Sequence, residues 1–386
     1  MSILRQNENS GSLPPHGEAI GGGRCSPAER PIFLCASRAG APARRTEGGK
    51  LKIGDVFIAG RVLAAPMTGV TDLPARRIAV AEGAPYVATE MVACDAFARG
   101  RPDVVRRAAG EDLPLKVIQL VGREPQWIAA GARLAQAAGA DIIDLNFGCP
   151  AKEVTGALSG SALMREPDLF CRMIDAAVNA TSRPVTLKMR LGWDDRSRNA
   201  PELAAKAQSL GIKAVTIHAR TRNQFYKGAA DWDAVAQVRA ATTLPLIVNG
   251  DIVCAASARL ALARSGADAV MIGRGAYGRP WIAAAIDRAL AHPEAQAEEP
   301  MLGHRLEVAL KHFRETLAFY GDALGVKIFR KHLGWYVEQA FMPADSAIRR
   351  AARARLCQID DPKAVETSLA ALWSENPLSI RAAATI

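Results

Sequence analysis

The stretch Asp141-Ile-Ile-Asp-Leu-Asn-Phe-Gly-Cys-Pro150 decides the fold of this chain. Its first residues form a short, mainly apolar run, which is typical of a β-strand buried on both faces. The run leads into a loop that carries Cys149. In barrels of alternating strands and helices, the loops after the strands carry the functional groups. Cys149 is therefore a candidate nucleophile or proton donor, although a cysteine can also be buried as a small apolar side chain.

Runs of the same kind recur on both sides of this stretch, from residue 51 onward. Eight of them predict strands, at residues 61–67, 86–91, 115–122, 141–148, 185–192, 214–220, 244–250 and 269–275. Helical patterns lie between them, at residues 124–139, 201–210 and 257–265. Eight strand–helix units over about 240 residues predict an α/β fold, the TIM (β/α)8 barrel.

The composition is that of a globular protein with a basic balance. Of the 386 residues, 49% are hydrophobic and 23% are charged, and the net charge of +10 favours a polyanionic partner, above all nucleic acid. No apolar run is long enough to span a membrane. The seven cysteines include no Cys-x-x-Cys pair, so neither a disulfide framework nor a zinc or iron–sulfur site is expected. We expect a cytoplasmic protein without a metal.

The chain divides into four segments by pattern. Residues 1–50 contain Gly21-Gly22-Gly23 and no sustained periodicity, and they predict a disordered N-terminal extension or a misassigned start codon. Residues 51–295 form the predicted barrel. Residues 300–375 show only helical periodicity and predict a second, all-helical domain. Residues 376–386 are expected to be a flexible tail.

Polar side chains lie at the C-terminal ends of the predicted strands. They are Gln119, Asn146, Lys188, Arg190, His218, Arg220, Asn249, Asp251 and Arg274. Each alone has an ordinary explanation: Lys188 can snorkel, His218 can be a satisfied core histidine, and Gln119 can cap a loop. Together at one end of a barrel they predict a polar ligand, because buried polar groups are costly without partners.

A flavin suits these residue types. A lysine beside the pyrimidine edge of the ring stabilises the negative charge that develops there on reduction, and amide side chains satisfy the ring's donors and acceptors. The stretch from Gly273 to Gly278 matches a dinucleotide-binding glycine pattern, but it follows the last strand instead of the first. In a barrel, glycines after strands 7 and 8, together with Arg274, suit a phosphate.

Several ordered motifs give the chain a close resemblance to a known family. They are Ala65-Pro-Met-Thr-Gly-Val-Thr-Asp72, Asn146-Phe-Gly-Cys-Pro-Ala-Lys152, Lys188-Met-Arg190, Thr216-Ile-His-Ala-Arg-Thr-Arg222, Asn249-Gly-Asp251, Met271-Ile-Gly-Arg274 and Gly278-Arg-Pro-Trp281. Over residues 51–373 the chain resembles the tRNA-dihydrouridine synthases, and the bacterial B-type best. The family often has alanine where this chain has Thr68, a change that leaves the backbone contact to flavin unaffected.

The resemblance implies an activity and a set of site residues. It implies reduction of specific uridines in the tRNA D-loop to 5,6-dihydrouridine with FMN and NADPH, with hydride passing from FMN to C6 and a proton from Cys149 to C5. Asn146 and Arg190 would hold the uracil, and residues 151–161 would form the loop that carries Cys149 over the base. The implied FMN contacts are Pro66, Met67, Thr68, Gln119, Lys188, His218, Asn249, Gly250, Asp251, Gly273 and Arg274.

The helical segment is the expected tRNA-binding domain of a monomeric enzyme. Residues 304–357 include ten basic and five acidic residues. Lys327, Arg330 and Lys331 fall on one helix face at i, i+3 and i+4 spacing and are predicted to contact tRNA phosphates. The alternative for these three residues is an ordinary solvated helix face.

Two other functions stay open from the sequence. One is a free-pyrimidine oxidoreductase similar to dihydroorotate dehydrogenases, which are also FMN barrels but lack a basic helical domain. The other is a non-catalytic RNA-binding regulator with a vestigial barrel. The presence of Cys149, Lys188 and the glycine-rich strand ends disfavours that second alternative.

Overall fold

The computed structural model describes residues 51–151, 159–292, 299–340 and 346–373. The predicted N-terminal extension and C-terminal tail therefore lie outside the described residues, and so do residues 152–158 of the predicted Cys149 loop. No helix in these ranges is long and apolar enough to cross a membrane.

Eight parallel strands form the central sheet, and two antiparallel strands precede it. The ten strands are β1 (Leu51–Ile53), β2 (Val56–Ile58), β3 (Val62–Ala64), β4 (Val92–Ala93), β5 (Val117–Val121), β6 (Ile142–Phe147), β7 (Val185–Arg190), β8 (Ala214–His218), β9 (Leu246–Asn249) and β10 (Ala269–Ile272). The sheet order is β3-β10-β9-β8-β7-β6-β5-β4. Parallel bridges from Ala64 to Val87 and from Ala88 to Val117 join its two ends. The predicted TIM barrel is confirmed.

Helices alternate with these strands and then continue alone. They are α1 (Leu73–Ala81), α2 (Cys94–Ala98), α3 (Pro102–Arg107), α4 (Pro125–Ala137), α5 (Pro167–Val178), α6 (Ala200–Ser209), α7 (Trp232–Ala241), α8 (Ala255–Ser265), α9 (Ile282–Ala291), α10 (Leu302–Tyr320), α11 (Asp322–Gln339), α12 (Ser346–Leu356) and α13 (Pro362–Leu372). Helix α1 begins where the Asp72 side chain accepts a hydrogen bond from Ala75 N, and α8 ends at Gly266 in the left-handed conformation.

The second predicted strand, residues 86–91, is wrong as a continuous element. The structure has isolated bridges at Val87 and Ala88 and then β4 at Val92–Ala93. Between them, the Thr89 hydroxyl oxygen accepts the hydrogen bond that Gln119 N donates at 2.9 Å. The Thr89 hydroxyl thus accepts a hydrogen bond that a backbone carbonyl would accept in a regular parallel sheet. The strand is therefore interrupted at this polar residue.

The hairpin of β1 and β2 closes the N-terminal end of the barrel. Its residues Leu51, Ile53 and Ile58 are buried in one cluster with inward-facing apolar residues such as Ile142 and Ile247. Because side chains alternate along a strand, the next inward positions lie one layer higher. In β6 and β7 these positions are polar, so the barrel is apolar at its base and polar at its mouth.

The four C-terminal helices have a hydrophobic core of their own and also pack on the barrel. Phe313, Phe329 and Leu333 are central to that core. Contact with the barrel includes a stack of the Tyr277 and Trp335 rings, whose centroids are 3.7 Å apart. These aromatic and apolar contacts place α11 beside the loop that follows β10.

Candidate active site at the barrel mouth

A chain of hydrogen bonds crosses the barrel interior from β5 to β7. Gln119 Nε2 donates to Asp144 Oδ2 at 2.7 Å, and Thr186 Oγ1 donates to Asp144 Oδ1 at 2.7 Å. Asn146 Nδ2 donates to Gln119 Oε1 at 2.8 Å. Burial raises the pKa of the Asp144 carboxyl, and the bonds from Gln119 and Thr186 oppose that rise. This network of hydrogen bonds fixes the orientation of the side-chain amides of Gln119 and Asn146.

The loop that carries Cys149 is held by its backbone. Asn146 Oδ1 accepts hydrogen bonds from Gly148 N at 3.2 Å and Cys149 N at 2.9 Å. Beyond the residues that the structure does not describe, Ser161 returns to donate to Cys149 O from both its backbone N and its hydroxyl. The Cys149 side chain is half-buried. Asn146 thus positions the thiol as well as lining the mouth.

Lys188 lies at the centre of the mouth on β7. Its Nζ donates to Asn249 Oδ1 at 3.2 Å, and Asn249 Nδ2 donates to Met271 O at 2.8 Å. Burial lowers the pKa of Lys188 to about 8; the charge of Arg190 adds to this, while Asp144 and Cys149 oppose it. The ammonium group is therefore poorly solvated and suited to an anionic or electron-rich ligand.

Arg190 is almost completely buried and bonds to loop carbonyls. Its Nε donates to Gly148 O at 2.8 Å, and its Nη1 donates to Thr221 O at 2.9 Å and Phe225 O at 2.8 Å. Desolvation lowers its pKa to about 10. The predicted uracil-binding side chain therefore joins the Cys149 loop to the loop after β8.

A second arginine, Arg220, anchors the opposite wall. Both its Nη2 bonds to Asp251 are short, at 2.8 and 2.6 Å, and its Nη1 lies 3.4 Å from His218 Nε2. Burial lowers the pKa of His218 well below its usual value, and nearby cations such as Arg190 lower it further. His218 is thus a neutral imidazole. Arg220 is itself buried, so it lines the wall of the mouth and does not lie on the outer surface.

The ends of β9 and β10 form a cup of backbone N–H groups. Among the residues that the structure describes, the N–H groups of Gly250, Asp251, Gly273 and Arg274 donate no hydrogen bond to a turn, a loop or a side chain. Gly250 has φ of 119°, and a Cβ there would lie 3.0 Å from Ala230 Cβ, so only glycine fits without strain. Unpaired N–H groups beside an arginine are typical of an anion site.

The loop after β3 forms another edge of the mouth. Met67 N donates to Thr71 Oγ1 at 3.0 Å, and Gly69 N donates to Glu90 Oε1 at 2.5 Å. A Cβ on Gly273 would lie 3.7 Å from Met67 Sδ, so this loop adjoins the end of β10. Pro66 and Met67 are partly buried, and Thr68 is exposed.

The structure does not bring the three predicted tRNA contacts onto one open face. Lys327 is exposed, whereas Arg330 pairs with Asp360 at 2.5 Å. Lys331 is partly buried beside the barrel, where desolvation lowers its pKa and the carboxylates of Asp72 and Glu90 oppose that effect. Helical spacing alone could not show this, because a neighbouring element covers part of the face.

Sequence reasoning missed several residues of the mouth. Asp144 and Thr186 occupy inward positions two residues before Asn146 and Lys188, so strict alternation would have indicated them. Tyr226 had no such signal: its ring lies 4.8 Å from the Arg274 guanidinium and 5.5 Å from that of Arg190. A loop residue of this kind becomes visible only when the barrel closes.

Comparison with known proteins identifies the family to which this chain is similar. Residues 62–372 match the family model described as "Dihydrouridine synthase (Dus)". A probable tRNA-dihydrouridine synthase of Rhizobium leguminosarum bv. phaseoli is 49% identical over 294 residues, which cover 76% of this chain and 90% of the relative. The tRNA-dihydrouridine synthase B of Xanthomonas axonopodis pv. citri is 44% identical over 297 residues, which cover 76% of this chain and 89% of the relative.

A solved structure supports the fold alone. A 2-naphthoyl-CoA reductase complex is 11% identical, with a TM-score of 0.50 over 62% of this chain and 52% of that chain. The family match, by contrast, covers the barrel, the mouth residues and the helical region together. This chain, whose polar side chains gather at the C-terminal end of its barrel, belongs to the dihydrouridine synthase family of oxidoreductases.

Proposed function

We propose that this protein reduces specific uridines in the D-loop of tRNA to 5,6-dihydrouridine, with FMN as cofactor and NADPH as reductant. The observation that carries the proposal is the meeting of Cys149, the Lys188 ammonium and the N–H cup at one barrel mouth. The family model matches residues 62–372, which include the barrel and the helical region, and relatives named tRNA-dihydrouridine synthase match 76% of the chain. A free-pyrimidine oxidoreductase would not account for that helical region.

The mouth residues fit FMN. The unpaired N–H groups of Gly250, Asp251, Gly273 and Arg274 would hold the phosphate, with the half-exposed Arg274 side chain as counter-charge. Lys188, Gln119, His218 and Asn249 would contact the ring, and Pro66, Met67 and Thr68 would support it from the β3 loop. When bound, FMN supplies hydride chemistry that no amino-acid side chain provides.

The chain's own residues would bind the uracil and move the proton. Asn146 presents an amide fixed by Gln119 and by the Cys149 loop, so it can hydrogen-bond a uracil edge without reorganisation. Cys149 would act as general acid and protonate C5 of the base. Arg190 would support both loops above the base through its carbonyl contacts.

tRNA binding would use the basic surface of the folded region. The net charge of +10 suits a polyanion, and Lys327 is an exposed cation on α11. The target uridine would have to leave its stack to reach the mouth, as in enzymes that flip bases. We further propose that the protein acts as a monomer in the cytoplasm.

The test is replacement of the thiol. We expect Cys149→Ala to retain bound FMN and to be reduced by NADPH, while dihydrouridine formation in tRNA falls by about 10²–10⁴-fold. Cys357→Ala is the matched control and should keep near-normal activity, because Cys357 lies in the helical region. Normal dihydrouridine formation by Cys149→Ala would refute its role, and purified protein without flavin would refute the cofactor.

A further inference from the structure

Three potential metal ligands meet where the helical region packs on the barrel. Asp72 precedes α1, His312 lies on α10 and His332 lies on α11. All three side chains are buried, and one potential ligand atom of each lies within 4.8 Å of the other two. The site lies outside the barrel mouth and has no role in the proposed reaction.

Both histidines have an imidazole nitrogen without a partner. His312 Nδ1 lies 3.1 Å from the Tyr336 hydroxyl, but among the described residues Nε2 of His312 and Nε2 of His332 have no hydrogen-bond partner. Both rings are buried, and an imidazole nitrogen that carries no proton is the form that binds metals.

We propose that Asp72, His312 and His332 bind a divalent transition-metal ion of the zinc class. Two imidazoles and one carboxylate form a donor set that such ions accept. With bonds of about 2.0–2.1 Å, tetrahedral ligand atoms are about 3.4 Å apart. Ligand atoms that lie within 4.8 Å of one another must therefore approach by at most about 1.4 Å. Tyr336, bonded to His312 Nδ1, would act as the outer partner that orients the ring.

The charges around the cluster set the strength of this site. The carboxylates near the cluster are Asp72 and Glu90. Two cations, Lys331 and Arg76, interact electrostatically with both carboxylates. Arg76 donates to the carbonyls of Arg107 and Ala109, so it is committed to backbone acceptors. Lys331 makes no such bond within the described part of the chain, and its positive charge opposes a dication, so its removal should tighten metal binding.

The proposed ion would link the helical region to a loop of the mouth. Asp72 follows Thr71, whose hydroxyl oxygen accepts the hydrogen bond from Met67 N. A metal bound to Asp72 and two helices would therefore hold the start of α1, and the β3 loop with it, against α10 and α11. This role is structural and can fail while the proposed tRNA activity stands.

The test measures metal bound by the intact flavoprotein. After dialysis against a chelator and then against Zn²⁺, elemental analysis should find roughly one tightly held ion per chain, and calorimetry should give a matching stoichiometry. His332→Gln and Asp72→Asn should bind Zn²⁺ at least about tenfold more weakly. Asp72→Asn keeps an oxygen that can accept from Ala75 N, so it should fold.

A matched control separates this site from adventitious binding. His304→Gln removes an exposed histidine of the same helix, one that pairs with Glu82, and should leave Zn²⁺ affinity unchanged. Lys331→Met should raise the affinity. Zn²⁺ should also raise the unfolding temperature of the parent protein by roughly 2–4 °C and that of His332→Gln by much less. Absence of bound metal would mean that a water bridges the histidines, and equal binding by all variants would mean surface binding; either result overturns the proposal.

Discussion

Replacement of Arg190 by methionine tests whether this residue anchors loops or binds the base. The side chain is almost fully buried and makes three hydrogen bonds, to the carbonyls of Gly148, Thr221 and Phe225. Methionine has a similar length and can fill the space without a donor. If Arg190 mainly anchors, Arg190→Met should lower the stability of the whole barrel and not only the activity.

The magnitude follows from opposing terms. Hydrogen bonds from a charged donor contribute about 1.5–3 kcal/mol each. Lowering of the Arg190 pKa to about 10 corresponds to roughly 3 kcal/mol for holding the charge in this site. Arg190→Met avoids that cost but leaves the three carbonyl groups without this donor. Some of these carbonyls can instead accept hydrogen bonds from water at the mouth. We expect a net loss of about 3–4 kcal/mol in the free energy of unfolding.

The assay is urea unfolding followed by circular dichroism and by flavin fluorescence. Arg183→Met is the control, since Arg183 is exposed just before β7, and it should change the free energy of unfolding by less than about 0.5 kcal/mol. Arg190→Lys should recover part of the loss, because lysine keeps the charge but not the forked donor. A stability loss below about 1 kcal/mol together with a strong loss of activity would refute anchoring and favour direct contact with uracil.

Three further predictions concern the cofactor, the RNA and the base of the barrel. Lys188→Met should weaken FMN binding about tenfold or more. In the parent protein, FMN affinity should fall as pH rises through about 8, because Lys188 loses its proton there. Fluorescence titration at several pH values would measure both effects. Lys327→Ala should weaken tRNA binding and flatten its salt dependence, whereas Lys331→Ala should leave the salt slope unchanged, as filter binding at several salt concentrations would show. Ile53→Ala should cost about 2–5 kcal/mol in urea unfolding, against a near-zero effect for the exposed Phe57→Ala.

The repeated strand–helix pattern was sufficient to predict the barrel. Near-continuous apolar runs between turn residues allow few architectures, and eight of them with intervening helices point to one. The strand at residues 86–91 failed because Thr89 and Glu90 use polar side chains in place of the regular ladder. The β1–β2 hairpin was not predicted, because strands of three residues are too short to show a recognisable alternation of apolar and polar residues.

By itself the sequence determined the α/β class, the strand ends at which polar residues gather, and the motifs that indicate the family. These depend on local spacing, which the chain carries along its length. Only the tertiary structure decided how those polar residues are used: Arg190 and Arg220 bond to loops, and Lys331 is covered by the barrel. It also brought Asp72 within reach of two histidines more than two hundred residues away. Burial and partner choice depend on which distant elements meet, and that information appears only when the barrel closes and the helices pack on it.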